Sequence, residues 1–97
     1  MSLLTVFNLT TMDLEKYNKA IRGLEEAGQG KPKGRLYHVA VRQGDGSMIV
    51  TDIWESPELL EEFGKTLVPV LNSVGVTPVE PVVYPVINII EGEKAQL

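Results

Sequence analysis

Residues 36–74 read LYHVAVRQGDGSMIVTDIWESPELLEEFGKTLVPVLNSV, and this stretch decides the fold. Arg35 to Arg42 and Met48 to Trp54 are two runs of strand-forming residues joined around Gly44-Asp45-Gly46. The Asp-Gly pair tolerates the positive φ of a tight turn, so the runs form an antiparallel hairpin. Ser56, Pro57 and Glu58 then mark a helix start. The serine hydroxyl caps, the proline loses no needed N–H at the first position, and the carboxylate suits the helix dipole. Leu59, Leu60, Phe63, Leu67, Val70, Leu71 and Val74 recur as one buried stripe. Pro69 interrupts it, since its ring opposes the carbonyl of Lys65 at a cost of ~3 kcal/mol in a regular helix, and predicts a kink or a restart.

On the N-terminal side, Leu3 to Leu9 reads as a first strand. Thr10, Thr11 and Asp13 offer caps to a helix whose apolar stripe is Leu14, Tyr17, Ile21 and Leu24, stopped at Gly28. Residues 28–34 carry three glycines and a proline and form a connector. On the C-terminal side Gly75 closes the second helix, and Val76 to Ile90 is a last extended segment with Pro78, Pro81 and Pro85. Proline cannot donate to a ladder, so that strand should lie at a sheet edge or carry bulges. A β-α-β-β-α-β order with proline-free first and third strands in the centre is an α+β, ferredoxin-like fold with a four-stranded antiparallel sheet. Residues 1–97 are expected to form a single domain, with its core in 3–90 and a solvated tail at 91–97.

Composition narrows the function. At 97 residues, 43% hydrophobic and 23% charged, the chain supports a packed core. A net charge of -4 provides no overall basic field to displace counterions from nucleic acid. The absence of cysteine excludes disulfides, thiolate nucleophiles and cysteine-bound metals. The N-terminal apolar run is too short for a signal peptide or a membrane span, so a cytoplasmic protein without a membrane partner is expected.

Two helices cover one face of a four-stranded sheet, yet the strands are apolar on both. Val82, Tyr84 and Val86 oppose Val83, Pro85 and Ile87, while Leu36 and Ala40 oppose Tyr37, Val39 and Val41. A face of that character predicts a homodimer joined through its sheets.

His38 is the only histidine and the natural group for proton transfer near neutral pH. Its candidate partner is Asp52. A three-residue loop at Gly44 to Gly46 pairs Gln43 with Ser47 and sets His38 opposite Asp52; a two-residue loop pairs His38 with Ile53 and turns Asp52 to the other face. The candidate catalytic pair therefore hangs on one residue of register, and a structural histidine is the alternative. Trp54 and Tyr84 are candidate walls of a pocket for an aromatic ligand, or core residues. Asn8, an amide within an apolar strand, is a candidate substrate contact, equally explained by a turn or an interface. Tyr17 and Phe63 lie on helix stripes and read as core. Lys31, Lys33 and Arg35 form a basic cluster beside the connector. No spacing suggests a metal site or a phosphate loop.

Tyr37-His38-Val39-Ala40, the Gly-Asp-Gly turn, Asp52-Ile53-Trp54-Glu55-Ser56, then Phe63 and Leu67 to Leu71 before Gly75 together resemble the dimeric α/β-barrel superfamily, specifically its antibiotic-biosynthesis-monooxygenase-like domains. The resemblance runs from Leu3 to about Ile90. It implies two ferredoxin-like protomers packed sheet to sheet, a pocket for a flat organic molecule, and in some members oxidation of aromatic compounds by dioxygen with no metal or flavin. Residues 57–74 lack the histidine expected of the haem-degrading branch. Ile87-Asn88 also replaces a histidine that many members place before the asparagine of the last strand. What the resemblance implies is a small-molecule-binding barrel, a cofactor-independent monooxygenase acting on a hydrophobic or aromatic compound. A non-catalytic ligand-binding or stress-associated barrel, and an isomerase or lyase of the same fold, are the alternatives.

Overall fold

A computed structural model describes residues 1–95; the last two positions of the expected solvated tail lie outside it. The elements follow as β1 (Leu3–Leu9), α1 (Leu14–Glu26), β2 (Arg35–Arg42), β3 (Met48–Trp54), α2 (Pro57–Ser73) and β4 (Val82–Pro85). The sheet order is β2-β3-β1-β4 with every pair antiparallel. This is the ferredoxin-like α+β arrangement, with the first and third strands central and the last at an edge.

Local chemistry sets the helix starts. Asp13 is the cap of α1, its Oδ1 accepting from the Lys16 amide at 2.8 Å. Thr11 is used otherwise, its Oγ1 accepting from the Thr77 amide and tying the entry of α1 to the chain after α2. Ser56 caps α2 by accepting from the Leu59 amide at 3.3 Å, with Pro57 directly after it. The helix does not restart at Pro69: α2 runs continuously through this residue, which is exposed. The carbonyl it deprives of a partner belongs to Lys65, also on the wet side of the helix.

The last extended segment is shorter than its apolar run suggests. β4 comprises four residues, all exposed, starting directly after Pro81 and ending on Pro85. Each proline removes a donor where the ladder would otherwise continue. Val76 leaves the strand pattern altogether and is buried in the core.

Alternation assigns the faces. Leu3, Thr5, Leu9, Met48, Val50, Asp52 and Trp54 are buried toward the helices. One core cluster gathers Leu9, Met12, Ala20, Met48, Val50, Leu71 and Val76. A second gathers Leu3, Leu24, Trp54 and Phe63. The opposite face carries Leu4, Val6 and Asn8 of β1, Tyr37, Val39 and Val41 of β2, Ile49, Thr51 and Ile53 of β3, and Val82 and Tyr84 of β4. Only Asn8 and Thr51 among these are polar without an aromatic ring, and Val39 and Tyr84 are each 55% exposed. The chain beyond β4 returns across the sheet: the Val86 amide donates to the Ser2 carbonyl at 2.9 Å, and the Tyr37 hydroxyl on β2, at the far edge, donates to the Glu91 carboxylate.

Gly34 positions the start of β2. Its φ is +88°, a conformation that glycine adopts without strain, and an added Cβ would lie 2.9 Å from Leu59 Cβ. Its carbonyl also accepts from the Glu55 amide at 2.8 Å, holding the connector against the entry of α2. Gly34→Ala is expected to destabilise the protein by about 1–3 kcal/mol. A thermal melt unchanged from that of the wild type would contradict it. No helix among the described residues is long and apolar enough to cross a membrane.

Candidate active site

The hairpin turn settles the register. Gln43 and Ser47 close the loop through the Gln43 amide, which donates to the Ser47 carbonyl at 2.8 Å, and Gly46 takes the positive φ of +90°. Asp45 stiffens the turn by accepting from both the amide and the hydroxyl of Ser47, contacts that hold its carboxyl below the usual range. With Gly44 to Gly46 as a three-residue loop, His38 falls opposite Asp52. The pair touches: His38 Nδ1 and Asp52 Oδ1 are 2.6 Å apart.

A carboxylate can only accept, so the short contact puts the imidazole proton on Nδ1 and leaves Nε2 as the acceptor in the neutral ring. The Tyr17 hydroxyl, on the second turn of α1, donates to that Nε2 at 2.7 Å. The two rings lie nearly parallel, 6° between planes and 6.1 Å between centres. Burial pushes the Tyr17 hydroxyl above its ordinary pKa; the Arg35 guanidinium opposes that shift and the Asp52 carboxylate adds to it. The three groups form a line from a buried carboxylate through an imidazole to a phenol.

This line borders an apolar cavity between sheet and helices, where the two core clusters meet. It has about 50 Å³ of space for the centres of water-sized spheres, enough for a few waters. Phe7, Val50, Leu24, Phe63, Leu67 and Leu71 contribute apolar wall; Tyr17, His38, Asp52 and Arg35 also border it, with the surface they expose there almost wholly apolar. Arg35 reaches it because its side chain lies over Phe63, the guanidinium carbon 5.7 Å from the ring centre, with Nη2 donating to the Gly30 carbonyl at 3.3 Å. The hollow is apolar, as small-molecule sites mostly are, but far below their usual volume of about 300–1,000 Å³, so an organic ligand has to widen it. No group of three or more His, Cys, Asp or Glu side chains able to hold a metal is found among the described residues.

The other candidate residues lie elsewhere. Asn8 is exposed on the face away from the helices, its Oδ1 accepting from Gln43 Nε2 at 3.1 Å, because Phe7 and Leu9 take the inward positions of β1. Tyr84 pairs with Leu4 on the same open face. Trp54 is fully buried in the second core cluster, 5.2 Å from the Phe63 ring centre, and does not line the cavity. Its indole N–H is buried with no partner among the described residues. Tyr17 and Arg35, read from sequence as a core residue and part of a connector cluster, are the groups that join His38 and Asp52.

No family model and no curated protein matches the sequence. Solved structures do. Rv0793 from Mycobacterium tuberculosis superposes with a TM-score of 0.68 at 12% identity over 94% of this chain and 100% of its own. A candidate antibiotic biosynthesis monooxygenase from Chloroflexus aurantiacus gives 0.66 at 11% identity, covering 94% of this chain and 98% of that one. SnoaB, a cofactor-independent oxygenase from Streptomyces nogalater, gives 0.59 at 11% identity over 92% and 94% respectively. At these identities the likeness speaks for architecture: the chain has the fold of the antibiotic-biosynthesis-monooxygenase-like proteins.

Proposed function

We propose that the protein is a sheet-to-sheet homodimer that binds a flat hydrophobic phenol or enol in the cavity of each protomer, which widens to admit it, and oxidises it with dioxygen, without metal or flavin. The observation that carries this reading is the Asp52–His38 pair, held at 2.6 Å on the wall of an apolar cavity. The fold it shares with SnoaB, a cofactor-independent oxygenase, supports it.

The chemistry needs a base and a dry hollow. His38, oriented by Asp52, accepts the acidic proton of the substrate, and the resulting anion is electron-rich at the carbon beside the ring or carbonyl. Arg35, with no carboxylate ion pair among the described residues, supplies positive charge toward that anion. One electron passes from the anion to dioxygen, the two radicals join as a carbon-bound peroxide, and loss of water leaves a new carbonyl. The two hydrogens of that water come from the substrate, one from its O–H by way of His38 and one from the C–H of the carbon that becomes the carbonyl, so the step balances without a second reductant.

Oxygen uptake over a panel of phenols and enols, measured with and without a strong chelator, tests the reading. Uptake unaffected by the chelator, with a product that gains one oxygen and loses two hydrogens, is expected. Turnover without oxygen would make the protein an isomerase or lyase, and ligand retention without turnover would make it a binding barrel.

A further inference from the structure

Tyr17 occupies the one basic atom that His38 has left. With Asp52 on Nδ1, the only basic atom left on the imidazole is Nε2, and the Tyr17 hydroxyl occupies it at 2.7 Å. A substrate entering the cavity finds that lone pair already engaged. We infer that Tyr17 is the catalytic residue that meets the substrate hydroxyl, passing the proton on to His38 rather than yielding its place. The inference rests on the base reading above and adds to it the identity of the contacting atom.

The geometry suits a relay. Tyr17 and His38 both line the cavity, and His38 keeps only about a fifth of its side chain exposed, 22%. A phenolic oxygen that donates one hydrogen bond retains lone pairs to accept another. In the transfer the substrate O–H bond breaks and its proton joins Tyr17 Oη. The proton that Tyr17 carried moves to His38 Nε2. The products are a substrate oxyanion, a neutral tyrosine and an imidazolium beside the Asp52 carboxylate. Tyrosine is never a free phenolate in this sequence, which agrees with burial raising its pKa. His38 and Asp52 become positioning and proton-storing groups behind it, and the distance between substrate and imidazole is set by the width of one phenol oxygen.

The test uses meta-nitrophenol, colourless when neutral and yellow when ionised, at a pH below its own pKa. The wild-type protein should bind it and turn it yellow. Tyr17→Phe, which removes one oxygen atom and keeps the ring, should bind it and leave it colourless, its ionisation on the protein falling about tenfold or more. Equal ionisation by Tyr17→Phe and wild type would show that His38 takes the proton directly, overturning the relay while leaving the base in place. Bound but colourless phenol on the wild type would overturn the base reading itself. A second measurement needs no variant. The rate of ionisation on the wild type, followed in mixtures of light and heavy water, should curve with deuterium fraction because two protons move together; a straight line would overturn the relay.

Discussion

Asp52→Asn is expected to lower turnover by about 10²- to 10⁴-fold while the protein remains folded. The change is one atom, but it inverts the imidazole. An asparagine whose NH₂ faces Nδ1 donates where the carboxylate accepted, so the ring proton moves to Nε2 and the basic atom is lost from the cavity side. Substrate binding is set by the apolar wall and should change far less, so the loss appears in kcat rather than in KM. His38→Ala should fall in the same range. Because the two side chains act through one proton, the double variant should be little worse than either single one. Steady-state oxygen uptake by the three variants checks this. An Asp52→Asn enzyme within a few-fold of wild type would remove the pair from the mechanism, whatever its geometry.

Val6→Asp is expected to turn the proposed dimer into a monomer. Val6 sits on the central strand β1, on the face away from the helices, between Thr51 of β3 and Val82 of β4. In a monomer that face meets water and the carboxylate is hydrated at little cost. In a dimer with a two-fold interface two new charges are buried, one from each protomer. Burying an unpaired charge costs several kcal/mol, and about 4 kcal/mol corresponds to a weakening of roughly 10³-fold in association. Native mass spectrometry of wild type and variant reads the outcome directly. A monomeric wild type would refute sheet-to-sheet pairing, and a variant that stays dimeric would move the interface elsewhere. The variant also separates assembly from chemistry, since Tyr17, His38 and Asp52 all belong to one protomer.

The fold was legible because its signals are local. Gly44-Asp45-Gly46, Ser56-Pro57 and Gly75 each state a backbone conformation within a few residues, and the prolines of the last strand exclude it from the centre of the sheet. The register of the hairpin was legible only as two alternatives, since an Asp-Gly pair serves both loop lengths; the Gln43–Ser47 closure chooses between them. Tyr17 was not legible as a site residue. On the stripe of α1 it looks like any core aromatic, and nothing in sequence measures the distance from α1 to β2. The available signal was a hydroxyl on an otherwise apolar stripe, since such a group demands a partner when buried. The placement of Asn8 and Tyr84 on the face away from the helices was hidden for a related reason. A strand apolar on both faces does not say which face the helices cover, and the parity of β1 and β4 emerges only from the pairing with β3. The β2 strand hides its parity further through the irregularity between Arg35 and Tyr37, which returns Arg35 to the cavity side.

The turn at Gly44 to Gly46 gives the site an unusual mutational profile. It is exposed, lies outside the cavity wall, and a side chain added at Gly44 would meet nothing within 4 Å. Drift in the identity of that residue should therefore pass almost unnoticed by selection. Losing a single residue of the turn is another matter, because it would slide β3 by one step and carry Asp52 out of reach of His38. Lineages descending from such a protein would tolerate substitution in this loop and purge length changes, a pattern opposite to that of most surface loops.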